Sequence, residues 1–473
     1  TKTKNKAVTP ELQNKYEAAK KLQDEAKKLV EKLRVNGFDC KMLHQQAECY
    51  FEAASIAYAF QRATGKSNLG GFLSGGSGSC QFSHSMKFPC NFELGNKKTL
   101  KKMLPMILAD ESPAQAFQVL DDFANGPECE VVAHVKQQQD RALAELSEED
   151  AQTFRRKCEG VVAGISACYY GAVEIGCANK KEDEWKNFPV HEVIGKMDAK
   201  VAELKAEVTA WMQEGKDKNS PRIPKKKKGV KSLLLPIVNI SLHRRLMEEL
   251  FDVDNCAICF KRNWLINETE QFRTTWTAGY FLWQLDHYHN IWFEGSRDVI
   301  EAFNRWAEEN DEERAKYETE TKVTDTAPPS TAEAPVSQTT STATAPGTSV
   351  APRKKPWPNP FKALVFDCGA GESKGILWSY SPDRGINKDG EDKLKFGVNL
   401  IDFATGDKTI GDMPELFKFL RGSLDNEEEN VGPEHFIEFA NKVRDKHKAD
   451  VVHIGTTCLK DLDKTLSNKV DQL

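Results

Sequence analysis

The sequence has no apolar run that approaches the length of a membrane span; its most apolar stretch, residues 233–240, is interrupted by Pro236. Nor does it carry much charge of one sign. A net charge of −5 over 473 residues gives no overall pull toward nucleic acid and names no partner. It also lacks a complete zinc spacing: Cys256-Ala-Ile-Cys259 stands without a second CxxC or a CxxH, which leaves a structural zinc short of half its ligands. No signal peptide is seen. The chain opens on Thr1 and reads as a piece of something longer whose targeting signals lie elsewhere.

What remains is the composition of a globular protein, 39% hydrophobic and 29% charged, long enough for two or three domains that each bury a core. The cysteines number twelve, an even count compatible with disulfides in an oxidising compartment and equally with buried thiols. Two sequons, Asn239-Ile-Ser241 and Asn267-Glu-Thr269, matter only if the chain is secreted.

A Thr/Ala/Pro/Ser tract over residues 318–357 has too few large apolar side chains to offset its ordering entropy and reads as a disordered linker. The expected organisation is therefore a segment over 1–310, a linker over 311–357 and a segment over 358–473. A run at Lys225–Lys228 beside prolines reads as a solvated loop. In the last segment, Ala363 to Gly369 and Gly375 to Tyr380 are apolar strands around a glycine-rich turn. Further strands are expected at 395–403 and at Val451 to Ile454, with helices over 414–420 and 433–447. In the first segment, helices are expected over 10–33 and 49–62. Residues 69–83 repeat the strand, glycine-rich turn, strand pattern. A hairpin with such a tip can aim backbone N–H groups at a phosphate, because glycine allows both the turn and the close approach. Two of them can clamp one phosphate chain.

These elements resemble the ordered regions of the apyrase family, nucleoside di- and triphosphatases of the actin-like superfamily. Asp367-Cys-Gly-Ala-Gly-Glu-Ser-Lys374 is similar to the first phosphate motif, matching at Asp367, Gly369 and Ser373 with Lys374 in the basic position. Gly455-Thr-Thr-Cys-Leu-Lys460 resembles the second, with Thr457 its best match. The segment from Glu52 to Gly65 keeps the Glu-to-Gly distance of the third, and residues 74–81 follow the fourth, retaining Gly76, Gly78, Ser79 and Gln81 but with Ser74 in the acidic position. Ile165 to Tyr170 and residues 188–204 resemble the family's next two helices, and Trp276-Thr-Ala-Gly279 the fifth region. The order is cyclically shifted, with the third, fourth and fifth regions ahead of the linker and the first and second behind it. The chain is then either a circular permutant or a window of a tandem array whose neighbouring repeats share the fold.

The resemblance implies an α/β, actin-like, ribonuclease H-like two-lobed fold, and hydrolysis of the terminal phosphate of a nucleotide by a water between the lobes. In that scheme Glu52 is the general base, while Ser79 and Gln81 orient the water. Asp367, Gly369, Gly371, Ser373, Lys374, Thr457, Lys460, Gly76 and Gly78 hold phosphate. Asp367 stands near a Mg2+ or Ca2+ ion, Tyr169 or Tyr170 stacks on the base, and the family points to a secretory or extracellular setting. Ser74 removes a carboxylate from the metal side, and Ala370-Gly-Glu372 places a negative charge at a loop tip. A catalytically degenerate nucleotide-binding or structural member is therefore the alternative. Asp286-His-Tyr-His289 and the aromatics of residues 272–283 read as packing groups rather than as a metal or base site.

Overall fold

A computed structural model describes residues 28, 31–32, 34–36, 39–76, 79–92, 94–109, 112–178, 186–216, 220–223, 229–261, 263–265, 271–310, 361–368, 373–381, 385–392, 441 and 444–456. The expected linker, the Lys225–Lys228 run, the Asn267 sequon, the strand at 395–403, the helix at 414–420 and most of those at 10–33 and 433–447 lie outside these residues.

The strands are β1 (Asp39–Met42), β2 (Gly71–Gly75), β3 (Cys80–His84), β4 (Phe88–Phe92), β5 (Cys158–Ile165), β6 (Asn187–Pro189), β7 (Phe251–Phe260), β8 (Asn263–Leu265), β9 (Gln271–Arg273), β10 (Phe361–Cys368), β11 (Ser373–Ser381), β12 (Gly385–Asp392) and β13 (Val451–Thr456). The helices are α1 (Gln45–Thr64), α2 (Asn96–Leu108), α3 (Pro113–Leu120), α4 (Glu130–Glu145), α5 (Glu148–Phe154), α6 (Ser166–Glu174), α7 (Val190–Gln213), α8 (Lys231–Leu250), α9 (Trp276–His289) and α10 (Glu294–Glu309).

Two mixed sheets repeat one strand order. The first runs β12-β11-β10-β13-β1, an antiparallel meander of three strands followed by two parallel ones. The second runs β4-β3-β2-β5-β7 with β6 added antiparallel at its edge, again a meander and then two parallel strands. That order is the ribonuclease H-like one, and its occurrence twice is the actin-like arrangement. β1 comes from the start of the chain, yet it pairs in parallel with β13 from the end, with Lys41 opposite Gly455. The first sheet is thus assembled from both chain segments. Asp450 pins its register by a pair of backbone contacts: its carboxylate accepts from Lys362 N and its own N–H donates to Lys362 O, both at 2.8 Å.

The helix that carries Glu52, α1, starts where the His44 ring accepts from Gln46 N at 3.0 Å, and stops at Gly65, whose φ of +70° breaks the α-helical path. Its residues from Cys49 to Phe60 are all buried, because it lies between two partners. On one side it meets Phe72, Ala163 and Ile165 of the second sheet, and on the other Tyr280, Trp283 and Phe303 of α9 and α10. Glycines make room for this. A Cβ on Gly279 would overlap the Phe51 carbonyl, and one on Gly295 would stand 2.6 Å from the Gln61 Cβ. The same core continues to Phe361, Val365 and Trp378 of the first sheet. Its fully buried aromatics, Trp264, Trp283 and Trp378 among them, are each worth about 1.5–3 kcal/mol or more in transfer from water. A second core lies beyond the other face of the second sheet, where Leu73, Phe82 and Phe92 meet Leu234, Val238 and Leu242 of α8.

The aromatics of residues 272–283 are core, as their spacing suggested: Phe272, Phe281 and Trp283 are at most 1% exposed. His287 stacks on Trp283 at 4.9 Å between ring centres, and His289 leans on Phe361 at 5.8 Å. The sequon at Asn239 is closed to glycosylation, since its side chain is buried within α8 and donates to Ala167 O at 2.9 Å. Among the described residues no helix is long and apolar enough to cross a membrane.

Candidate functional site

Parallel strands end together, and in open α/β sheets ligands gather outside their carboxyl ends. In the first sheet β10, β13 and β1 end side by side, with Asp367 opposite Gly455 and Met42 opposite Thr456. The strand ends that lead into the segments assigned to the first two phosphate motifs are therefore neighbours, although far apart in sequence. Across the hairpin Asp367 pairs with Lys374 and Cys368 with Ser373. The side chains of Asp367, Ser373 and Lys374 lie outside the described part, as do Gly369, Gly371, Thr457 and Lys460.

In the second sheet β2 and β5 end together, and Gly75 bridges to Ser166. Gly76 N then donates to Ser79 O at 2.7 Å, closing the turn around Gly78, itself outside the described residues. The alternation of β2 and β3 puts Ser74, Ser79 and Gln81 on the face that α1 covers. Gln81 Nε2 donates to Ser79 Oγ at 3.1 Å and to Asn91 Oδ1 at 3.2 Å, and Asn91 is its register partner on β4. Two of the expected site residues are thus joined directly.

Glu52 lies on α1, the helix that covers this face. Cys49, one turn earlier, directs its thiol at Cys90 O (3.2 Å) and Phe82 O (3.6 Å), which anchors that side of α1 on β3 and β4. Glu52 is 7% exposed. Burial first, and the Glu52 charge in addition, push the Cys80 thiol up to about 12, while a hydrogen bond with the Gly76 backbone acts in the other direction. The same carboxylate contributes to holding Cys49 well above its ordinary value, after burial and Cys90. Its charge is felt at Cys80, whose thiol turns to the opposite face from Ser79 and Gln81.

α9 links the two groups of elements. Its first turn is capped by Thr275, whose Oγ1 accepts from Ala278 N at 3.3 Å. Trp276 rests on Gly455, where a Cβ would lie 3.0 Å from Trp276 Cζ3 and closer still to Cη2. Gly279, one turn later, receives the backbone beside Glu52. One helix turn thus touches both Gly455 at the end of β13 and the segment of the candidate base.

Of the two tyrosines expected to stack on a base, Tyr169 is buried in the core at 5% exposure and presents no face to a ligand. Tyr170 is 45% exposed and meets Tyr169 edge to face at 5.6 Å. Ser74, in the position of an acidic residue, is 1% exposed. Among the described residues no three His, Cys, Asp or Glu side chains gather as metal ligands. All nine described free cysteines are buried, and Cys256 and Cys259 are held up to about 12 chiefly by burial.

Two residues outside the expected site set also shape this face: Asn91 holds Gln81, and Ser166 extends the edge at Gly75 with a φ of +54°. Ser166 had one legible signal: in both places an isoleucine of the fourth strand is followed by small residues and a cysteine, Ile165-Ser-Ala-Cys168 and Ile454-Gly-Thr-Thr-Cys458.

No protein-family profile and no curated protein matches the chain. Among the solved structures that resemble parts of it are three from Aquifex aeolicus. A member of the Ppx/GppA family matches with 10% identity and a TM-score of 0.28, over 50% of this chain and 61% of that one. A PPX-GPPA enzyme matches with 10% identity, a TM-score of 0.27 and coverages of 50% and 62%. The type II variant of a Ppx/GppA phosphatase matches with 11% identity, a TM-score of 0.27 and coverages of 50% and 62%. The chain spans less than two thirds of each, and the fold assignment rests on the strand order of its own two sheets.

Proposed function

We propose that the chain is a phosphohydrolase that removes the terminal phosphate of a nucleoside di- or triphosphate. The observation that carries this reading is that Ser79 and Gln81, joined by a hydrogen bond, lie on the sheet face covered by the helix that carries Glu52, with the glycine turn at Gly75–Gly76 at its rim. Glu52 takes the proton of a water whose oxygen bonds to the terminal phosphorus, and the electron pair of the broken P–O bond leaves with the nucleotide. Ser79 and Gln81 orient that water; Ser79 and Asn91 take the two amide hydrogens of Gln81, which leaves its Oε1 to accept from the water. From the first sheet, the turns after Asp367 and Gly455 are assigned to the phosphate chain, with Ser373, Lys374, Thr457 and Lys460 as the residues that would hold its oxygens. Tyr170 is the tyrosine exposed enough to meet a base.

The neutral oxygens of Ser74 and Gln81, with Asp367 as the assigned carboxylate, suit a hard, water-rich cation such as Mg2+ or Ca2+ rather than a tightly caged one. Such an ion, held there, would neutralise charge on the phosphate chain. The second reading, a nucleotide-binding scaffold without turnover, is favoured by the buried Ser74 hydroxyl in a carboxylate position.

Phosphate release from ATP and ADP with Mg2+ or Ca2+, compared between the chain and Glu52→Gln, separates the two. Loss of on the order of a hundredfold or more in kcat with nucleotide binding retained supports hydrolysis by Glu52. Nucleotide binding by a folded chain that releases no phosphate leaves the scaffold.

A further inference from the structure

One buried imidazole takes no part in the scheme above and yet lies against the candidate phosphate turn. His243 is 0% exposed, on α8, behind the sheet face opposite to Glu52. Its Nδ1 is 2.8 Å from the Asn239 carbonyl, which only accepts, so the ring proton sits on Nδ1 and Nε2 carries a lone pair. Nε2 makes no hydrogen bond among the described residues. The ring is directed at Gly75: a Cβ there would overlap Nε2 and stand 2.6 Å from Cε1, with the Ala167 Cβ at 3.3 Å closing the other side.

Asn239, one turn before His243, reaches the neighbouring strand end. Its Nδ2 donates to Ala167 O at 2.9 Å, and its Oδ1 accepts from Asn96 Nδ2 at 3.3 Å. The two α8 side chains therefore flank the Gly75–Ser166 bridge, one filling the space beside Gly75 and one hydrogen-bonded to Ala167, the residue after Ser166. A buried polar group on a rigid helix that excludes a side chain at a functional turn is a support for geometry, since close-packed interiors transmit such contacts with little slack.

We propose that His243 is a positioning residue for the second sheet's phosphate turn: by filling the space beside Gly75 it fixes the path on which the chain leaves β2 through Gly76 to Ser79. Its importance for catalysis rests on the proposed function; its control of the turn does not. Asn239 fixes the ring's height and tautomer, and the resulting contact makes glycine obligatory at position 75. The Gly76 N–H to Ser79 O bond, and with it the site of Ser79 beside Gln81, follows from that path.

The test is a size swap read by two independent measurements on the full chain. Gly75→Ala, His243→Ala and the double variant are compared by hydrogen exchange of the peptide spanning Leu73 to Phe82 and by kcat and KM for phosphate release from ATP. Each single variant is expected to exchange faster in that peptide and to lose kcat on the order of tenfold or more with a smaller change in KM. The double variant is expected to regain slow exchange and most of kcat relative to Gly75→Ala, because the new methyl enters the space the ring vacates. A double variant no better than Gly75→Ala, or a His243→Ala chain with unaltered exchange and kcat, overturns the proposal. Gly75→Ala probes the contact from the other side, so failure of His243→Ala to fold is met by replacing it with His243→Ser in the same swap. If the intact chain releases no phosphate, the proposed function fails, while the exchange data still decide whether His243 controls the turn.

Discussion

Lowering the pH should unfold this protein in part through His243. Its complete burial holds the imidazole pKa at about 4, below the ordinary 6.5, against a smaller upward pull from the Asn239 carbonyl. The unfolded chain therefore binds a proton between pH 6.5 and 4 that the folded chain refuses, and stability falls as pH falls through that window. Above pH 6.5 the contribution is fully present. The gap corresponds to about 3 kcal/mol, of which ~2.5 kcal/mol is lost by pH 4.5. Other groups titrate over the same range, so the quantity to measure is the difference between the chain and His243→Gln, which keeps a buried polar side chain without the titration. Urea unfolding at pH 7.5, 6.0, 5.0 and 4.5 gives it directly. The chain should lose ~2.5 kcal/mol more than the variant between the first and last of these. A difference that stays constant across the series would refute the reasoning, because a ring open to water or able to share its proton titrates alike in both states.

Gly279→Ala places a methyl group on the Phe51 carbonyl; despite the gain of about 1 kcal/mol that alanine brings to a helix, a net loss of roughly 1–3 kcal/mol is expected in chemical denaturation. An unchanged midpoint would show that α1 and α9 are not in contact there. The nine described thiols should resist iodoacetamide in the native state and react only on unfolding, as peptide mapping would report. Native alkylation of Cys80 or Cys259 at the rate of a free thiol contradicts their burial. Tyr169→Ala should cost about 3 kcal/mol or more by emptying a core position. Tyr170→Ala should leave stability within ~0.5 kcal/mol and act on KM for nucleotide, and equal effects of the two would remove the distinction between core and exposed ring.

What the sequence made legible and what it hid divide along a physical line. Local patterns were readable: the two glycine-tipped hairpins became β2–β3 and β10–β11, the Cys49 helix became part of α1, and the short apolar run at Val451 became β13. Each rests on neighbours within a few residues, where alternation, helical spacing and glycine turns act. The pairing of Asp39–Met42 with Val451–Thr456 also bears on the shifted motif order, since it joins the chain's two ends in one sheet. The hidden part is contact between elements distant in sequence. Nothing near Gly279 announces that its missing side chain admits the Phe51 carbonyl, and the Asn239 sequon gave no sign that its amide binds Ala167 O inside α8. His243 is the sharpest case. A lone histidine one turn from an asparagine, followed by two arginines, reads as an ordinary polar end of a helix. Its meaning comes from Gly75, 168 residues earlier in the numbering, which sits under the ring only once β2 and α8 have packed. Reaction chemistry can be read from short motifs because it needs particular functional groups. The geometry that aims those groups is set by shape, and in a close-packed interior shape is decided by whichever distant residue fills the adjoining space.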